Sequence, residues 1–389
     1  MKGEFDGKTL TVCLEGRIDS GNSSSWENAI NAKIEERNPE QVVLDAEKLE
    51  YISSAGLRIV LKLRKRFADL KIVNVSVSVY EILEMTGFTE LVTVEKAYRQ
   101  FDVSGCEVIG KGANGTVYRI ARDTIVKVYH DAESLDDIKR ERELSRTAFL
   151  LGIPTAIPYD VVKVGNTYGS VFELLNAKSF DELLREDEQN MEFIAKETVE
   201  IAKIIHSTKA PANLPRQRDV ALDWVGMVTD YFTPEQHEKL RSLIEAIPED
   251  GFMLHGDMHI KNIMLQNKET LLIDMDTLCT GHPIYELAFM YNAYKGFGIV
   301  DPADVSNFMG IPADTAYRLW RLILTMYLGT DDKARLDEVE EKAALIGILR
   351  VMRRVIRFNR QNTPDGKAIV DACHDFIAEK LDKIETLTF

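Results

Sequence analysis

The densest chemistry in the chain lies in Leu254-His255-Gly256-Asp257-Met258-His259-Ile260-Lys261-Asn262-Ile263-Met264, followed after a short turn by Leu272-Ile273-Asp274-Met275-Asp276. A carboxylate, an Asn five positions later and a second carboxylate are the side chains that moving a phosphoryl group requires. One carboxylate orients and deprotonates the attacking hydroxyl, and further oxygen ligands hold magnesium against the phosphates. In this pattern Asp257 is the expected base, and Asn262 and Asp274 are the expected ligands of Mg2+. Asp276 reads equally as an outer ligand or as a cap. His255 is expected to hold the loop by hydrogen bonding rather than to take part in the reaction.

A second cluster lies upstream. Gly110-Lys111-Gly112-Ala113-Asn114-Gly115-Thr116-Val117 fits GxGxxGxV, in which Gly110, Gly112 and Gly115 let a hairpin backbone approach phosphates that a Cβ would hold away, with Val117 beside them. Any glycine-rich hairpin can produce such a match by itself. A dinucleotide-binding reading is disfavoured because a strand rather than a helix follows. Twelve residues past Gly115, Lys127 sits in the apolar strand Ile125-Val126-Lys127-Val128-Tyr129, where a charge is costly unless paired. The next segment opens with a capping box, Ser134 to Asp137, and carries Glu141 and Glu143. A helical wheel puts Glu141 at the centre of an arc with Leu144, Ala148, Ser145, Phe149 and Leu151, and turns Glu143 away. Glu141 is therefore the expected partner of Lys127.

These residues need elements to carry them. A β pattern runs through CEVIGKGANGTVYRI, a turn at Arg122-Asp123 and TIVKVYH; a helical stretch around 135 to 151 and a strand pair ending in SVFELL follow. From about Ser179 onward the pattern is largely helical, apart from short strands around the HGD segment. Upstream of residue 95 the pattern alternates: a strand pair over 8 to 19, a helix over 22 to 37, a buried strand from Gln41 to Ala46 and a helix from about Ser53. A strand at Lys71 to Val75, a helix over Val79 to Thr86 and a strand near Leu91 to Val94 complete it. Such alternation predicts an α/β unit with one mixed sheet. The expected organisation is an α/β domain over 1–97, a linker over 98–104, a β-rich lobe over 105–175 and a helical lobe over 176–389.

The Gly-rich hairpin, Lys127, Glu141, HGDxxxxN and Asp274 together make residues from about 105 to 300 resemble the aminoglycoside phosphotransferase and choline kinase branch of the protein-kinase-like superfamily, where HGD stands in place of HRD. The resemblance implies a bilobal fold, ATP and Mg2+ as cofactors, and a hydroxyl acceptor. It also implies that Phe172-Glu173-Leu174-Leu175 is the hinge, with Glu173 and Leu175 at the adenine and Met264 and Ile273 beneath the ring. His282-Pro283-Ile284-Tyr285-Glu286 resembles the family's segment behind the catalytic loop, with Glu286 where Asp is usual, a departure that bears on loop bracing more than on chemistry.

Residues 1 to about 95 resemble the STAS domain of bacterial anti-sigma factor antagonists through LEGRID, VVLDA, YISSAGLRIVLKL and VYEILEMTGFTEL. That resemblance implies a protein partner and a phosphorylatable Ser at the start of the helix after the strand, for which Ser54 is the match. Ser53 stands where Asp is often found, and Ala55 fills the next place. A phosphate at a helix amino terminus meets free amides and the positive dipole end. Ordinary capping by Ser53 and Ser54 is the competing explanation.

Composition narrows the function further. The net charge of −15 is unevenly spread: residues 1–100 hold 14 Lys/Arg against 16 Asp/Glu, which leaves 34 against 47 for residues 101–389. An acidic second part repels nucleic acid backbones and mildly favours a cationic small-molecule acceptor. Cys13, Cys106, Cys279 and Cys373 lie far apart with no CxxC pair, so neither zinc nor a disulfide framework is indicated. The amino-terminal residues lack a basic start and apolar run, and no apolar run reaches membrane-spanning length, so a cytoplasmic protein is expected. Ala343 to Phe358 reads as a core helix whose Arg350, Arg353, Arg354 and Arg357 form a basic outer edge. Three functional readings result: a small-molecule kinase, a regulatory kinase acting on a STAS serine of its own or a partner, and a non-catalytic scaffold. Loss of Lys127, Asp257 or Asp274 would have favoured the last, and all three are present.

Overall fold

Alternation of apolar and polar residues every second position decides the first sheet. In β2 (Thr9–Ile18) and β3 (Gln41–Ile52) every other side chain is buried, Leu10, Val12 and Leu14 beside Val42, Leu44 and Ala46. That pattern belongs to a sheet with one face on a core. In the computed structural model, which describes residues 2–111, 115–130 and 135–389, the chain divides into two compact units. One is Met1–Asp102 with Val162–Gly165, and the other is Val103–Val161 with Asn166–Phe389.

The first unit orders its strands β1 (Gly3–Phe5), β2, β3, β4 (Lys71–Val75), β5 (Thr93–Lys96). The β1 pair is antiparallel and the rest are parallel, a mixed sheet. Helices α1 (Ser23–Arg37), α2 (Ser54–Arg66) and α3 (Val77–Met85) intervene between the parallel strands. The strand pair expected over 8–19 is instead one strand. Within it Gly16 takes a left-handed φ of 66° at a register shift against β3, while the reversal occurs earlier, at Gly7 with φ 98°. A glycine within a strand marks a bulge as readily as a turn.

α2 approaches β2 and β3 closely because Gly56 has no side chain. A Cβ there would lie 2.7 Å from Ile52 Cγ1 and 2.9 Å from Ile18 Cγ2. Gly56→Ala should therefore destabilise this unit by about 1–3 kcal/mol, with overpacking outweighing the roughly 1 kcal/mol gain in helix propensity. Faster hydrogen exchange across Ser54–Arg66 in the intact chain would report it; unchanged protection would show that the two isoleucines yield.

The second unit opens with antiparallel pairing of Glu107–Lys111, Gly115–Ala121, Thr124–Tyr129 and Thr167–Glu173. The helix Leu135–Leu150 lies in sequence between the last two. The remainder is mostly helical and encloses the largest core, around Trp320, Tyr285, Tyr294 and Phe180. Two small antiparallel pairs interrupt it, Ile263–Gln266 with Glu269–Leu272 and Met253–Leu254 with Cys279–Thr280. Among the described residues no helix is long and apolar enough to cross a membrane.

Candidate active site

Lys127 lies on the strand Thr124–Tyr129 directly opposite Val117 of Gly115–Ala121. Its Nζ is 2.9 Å from Glu141 Oε1 and 3.4 Å from Asp274 Oδ1. Glu141 comes from the buried arc of its helix, with Ile138, Leu144, Ser145 and Ala148. Phe149 and Leu151, placed on that arc by the wheel, are exposed: Phe149 stands at the edge of the arc in the last turn, and Leu151 lies past the helix end at Leu150. Glu143 is exposed and pairs with Arg142 at 3.3 Å. Tyr129 donates its hydroxyl to Glu141 Oε2 at 2.5 Å, so both oxygens of this carboxylate are engaged. Burial opposes the Lys127 charge, but Asp274 and Glu141 outweigh it and hold the ammonium well above its usual pKa. A fixed cation beside an exposed carboxylate suits polyphosphate.

Of the hairpin glycines, Gly115 is dictated by packing, since a Cβ would sit 2.5 Å from Val128 O; Gly110 has ordinary clearance, 3.6 Å from Val117 Cβ. Gly112 and the capping Ser134 lie outside the described residues. At the hinge segment, the amide of Glu173 donates to Ile157 O at 3.0 Å and that of Leu174 to Asp123 O at 2.9 Å. The next amide, Leu175, has no backbone partner among the described residues. Met264 and Ile273 are half-buried on and just after the second hairpin.

That hairpin sets the spacing of the acidic groups. Asn267 and Lys268 both take positive φ, 50° and 72°, the geometry of a tight two-residue turn. The register Ile263↔Leu272 then brings the strand ends together, and Ile273 N donates to Asn262 O at 3.0 Å. Asn262 and Asp274 therefore flank one end of the hairpin. Asn262 Nδ2 donates to Asp257 O at 3.0 Å, leaving its amide oxygen as the atom free to meet a cation. Asp274 adopts a left-handed φ of 63° and is exposed. Asp276 next to it is pushed up to about 7, first by burial and then by Asp274 and Glu141. Three carboxyl groups, Glu141, Asp274 and Asp276, against the one cation Lys127 suit a divalent cation. Among the described residues no three His, Cys, Asp or Glu side chains converge on a metal-sized point. Protein would supply two oxygen ligands and phosphates the rest, as Mg2+ prefers.

The loop carrying Asp257 is braced from behind. Glu286 is fully buried and accepts from the amides of His255 at 2.6 Å, Gly256 at 3.1 Å and Met258 at 3.4 Å. Burial works against its charge, but His206, His255 and the Gly256 amide hold its pKa below the usual glutamate value. His255 bonds Ile273 O through Nε2 at 3.0 Å and accepts from Asp257 N through Nδ1 at 3.2 Å. Gly256 must be glycine twice over: its φ is 83°, and a Cβ would run into the Thr277 carbonyl. The Asp257 carboxylate lies 3.6 Å from His259 Nε2. Despite burial, His259, Arg350 and His255 keep it well below the usual carboxylate pKa.

Two participants escaped sequence reasoning. Tyr129 was only a strand residue, although its spacing from Lys127 already put the two side chains on one face of the strand. Arg350 is not on an outer edge: its NH1 donates to Gly256 O at 3.1 Å, and its guanidinium lies 4.1 Å from the Phe289 ring centroid. Arg354 and Arg357 are exposed. In the first unit, Ser53 is the cap of α2, accepting from Ala55 N at 3.2 Å, whereas Ser54 is exposed and takes no part in capping.

Residues 105–320 match the phosphotransferase enzyme family and residues 3–122 match the STAS domain. The two ranges overlap over 105–122, which fold with the second unit. The chain is similar to BtrV of Bordetella bronchiseptica, named as an anti-sigma factor antagonist, at 36% identity over 89 residues, 22% of this chain and 76% of that protein. Among solved structures, a thermostable mutant of aminoglycoside phosphotransferase APH(4)-Ia in ternary complex with ADP and hygromycin B superimposes with a TM-score of 0.50. It is 13% identical, and the match covers 71% of this chain and 94% of that one. A choline/ethanolamine kinase family protein from Mesorhizobium loti gives 0.46 at 15% identity, with 72% and 88% covered. At these identities the likeness concerns the fold.

Proposed function

Because the chain belongs to the phosphotransferase enzyme family, and carries a STAS domain ahead of the phosphotransferase domain, we propose that it transfers the γ-phosphoryl group of ATP, with Mg2+, to the hydroxyl of a small cationic acceptor such as an amino alcohol or amino sugar. The observation that carries this reading is the meeting of Lys127, Glu141 and Asp274 in one ion-paired cluster at the end of the hairpin that also holds Asn262. Lys127 holds the phosphates, and Asn262 and Asp274 hold the metal that neutralises their charge. The acceptor oxygen forms its bond to phosphorus as the bridging P–O bond breaks and its electron pair leaves with ADP. The hydroxyl proton passes to Asp257. The excess of acid in residues 101–389 supports a cationic acceptor.

A second reading, transfer to a STAS serine, is favoured by one observation: Ser53 does the capping while Ser54 stands exposed at the helix start. The test is incubation of the purified chain with magnesium and γ-labelled ATP, alone and with a panel of amino alcohols and amino sugars, followed by peptide mapping. Label on a small molecule supports the first reading and label on Ser54 the second. In either case Lys127→Met should cut the rate by about 10²–10³, the cost of deleting one preorganised charge donor. Labelling at the wild-type rate in that variant would remove Lys127 from the site.

A further inference from the structure

Arg350 is an anomaly in its own helix. The buried face of Lys333–Arg357 runs through Leu345, Ile346, Leu349, Met352 and Val355. A guanidinium among these groups costs several kcal/mol unless something compensates it. It makes no direct ion pair among the described residues; its direct partners are the Gly256 carbonyl and the Phe289 ring, and the Asp257 and Glu286 charges favour its cationic form. A half-buried charged donor is thus aimed at the peptide oxygen that precedes Asp257. The residue lies beyond the range 105–320 that matches the phosphotransferase family.

The peptide that it grips joins Gly256 to Asp257. Its carbonyl end is fixed by Arg350, and its N–H end donates to His255 Nδ1. Gly256 carries no Cβ, so its own backbone does little to hold the direction of the peptide that follows it. A change in Gly256 ψ that Asp257 φ does not cancel would aim the Gly256 carbonyl elsewhere and carry the Asp257 side chain from its present direction. Glu286 cannot prevent that, since it holds the amides of His255, Gly256 and Met258 but not that of Asp257.

We propose that Arg350 is a positioning residue for phosphoryl transfer, locking the Gly256–Asp257 peptide so that the Asp257 carboxylate faces the acceptor. The proposal rests on Asp257 being the base. The test measures phosphate release from ATP and magnesium with water as acceptor, in the full-length protein, for Arg350→Met, Arg350→Lys, Asp257→Asn and the double variant Arg350→Met with Asp257→Asn. Arg350→Met should lower kcat about 10- to 100-fold, the scale of a ~1 Å misplacement, with KM for ATP within about twofold. Arg350→Lys keeps one donor to the carbonyl and should recover part of that loss. In the Asp257→Asn background, Arg350→Met should cost nothing further, as expected of residues acting as a unit.

Additive losses in the double variant, or a wild-type kcat in Arg350→Met, overturn the proposal while leaving Asp257 as base. An active Asp257→Asn variant overturns the base assignment itself. Should Arg350→Met not fold, Arg350→Lys decides: reduced kcat at unchanged KM supports positioning, and a parallel loss of ATP binding makes the residue merely structural.

Discussion

Asp257→Asn should lower the transfer rate by about 10²–10⁴, the range for a general base, while leaving ATP affinity within roughly twofold. The replacement is isosteric, so the loop should keep its shape: the Asp257 amide still meets His255 Nδ1, and its carbonyl still accepts from Asn262. What is lost is an acceptor for the hydroxyl proton. Because His259, Arg350 and His255 hold the Asp257 carboxyl below its usual pKa, it is ionised at neutral pH and a weak proton acceptor in the ground state. Its largest contribution is then orientation of the nucleophile, with the proton moving late, as suits a loose transition state. Phosphate or product release measured beside calorimetric ATP titration separates the two effects. A variant within tenfold of wild type would show that another group takes the proton.

Much of the frame was legible because short-range physics fixes it. Strand character is legible at β2, though as a pair rather than one strand, and at β3, though only to Ala46 where the strand runs on to Ile52, and β4 falls at Lys71–Val75 in the sequence as in the structure. Glu141 could be aimed by a wheel because the apolar side chains that bury its helix face surround it in sequence. Glycines were harder to interpret. Gly16 and Gly7 look alike in sequence, yet one sits at a register shift within a strand and the other at a reversal; the role of Gly16 depends on pairing with Leu49, far along the chain, which no local pattern reports. Gly115 was assigned to phosphate approach, and the structure adds a packing reason, the carbonyl of Val128.

Arg350 was illegible for a related reason. Pattern reading counts every Arg as polar and sends it outward, but its partner oxygen lies 94 residues earlier in the chain. Only the packing of its helix against Ile284–Tyr294, which carries Phe289 and Glu286, brings the two together. The same helix pair therefore holds both ends of the support for the catalytic loop. Glu286 takes its amides from one side, and Arg350 takes its carbonyl from the other.

That arrangement makes Glu286→Ala the most damaging single change expected for stability, at about 3–5 kcal/mol. Three buried amides would lose their acceptor at once, and a water entering the space left would bring no charge and have to be ordered in a site with no exposed surface. Glu286→Gln retains the shape and one carbonyl oxygen but turns an N–H towards donors, so it should fall between alanine and wild type. Glu286→Asp restores the carboxylate usual in related loops but shortens the arm by one methylene. It should be the mildest of the three, its cost set by how far the segment from His282 can move to close the gap. Thermal unfolding ranks the variants, and hydrogen exchange over Met253–Asn262 tests whether the loop opens. Stability of Glu286→Ala equal to wild type would mean that the loop is held chiefly by His255 and Arg350. In that case Glu286→Ala should leave the orientation of Asp257 untouched, and catalysis should survive along with the fold.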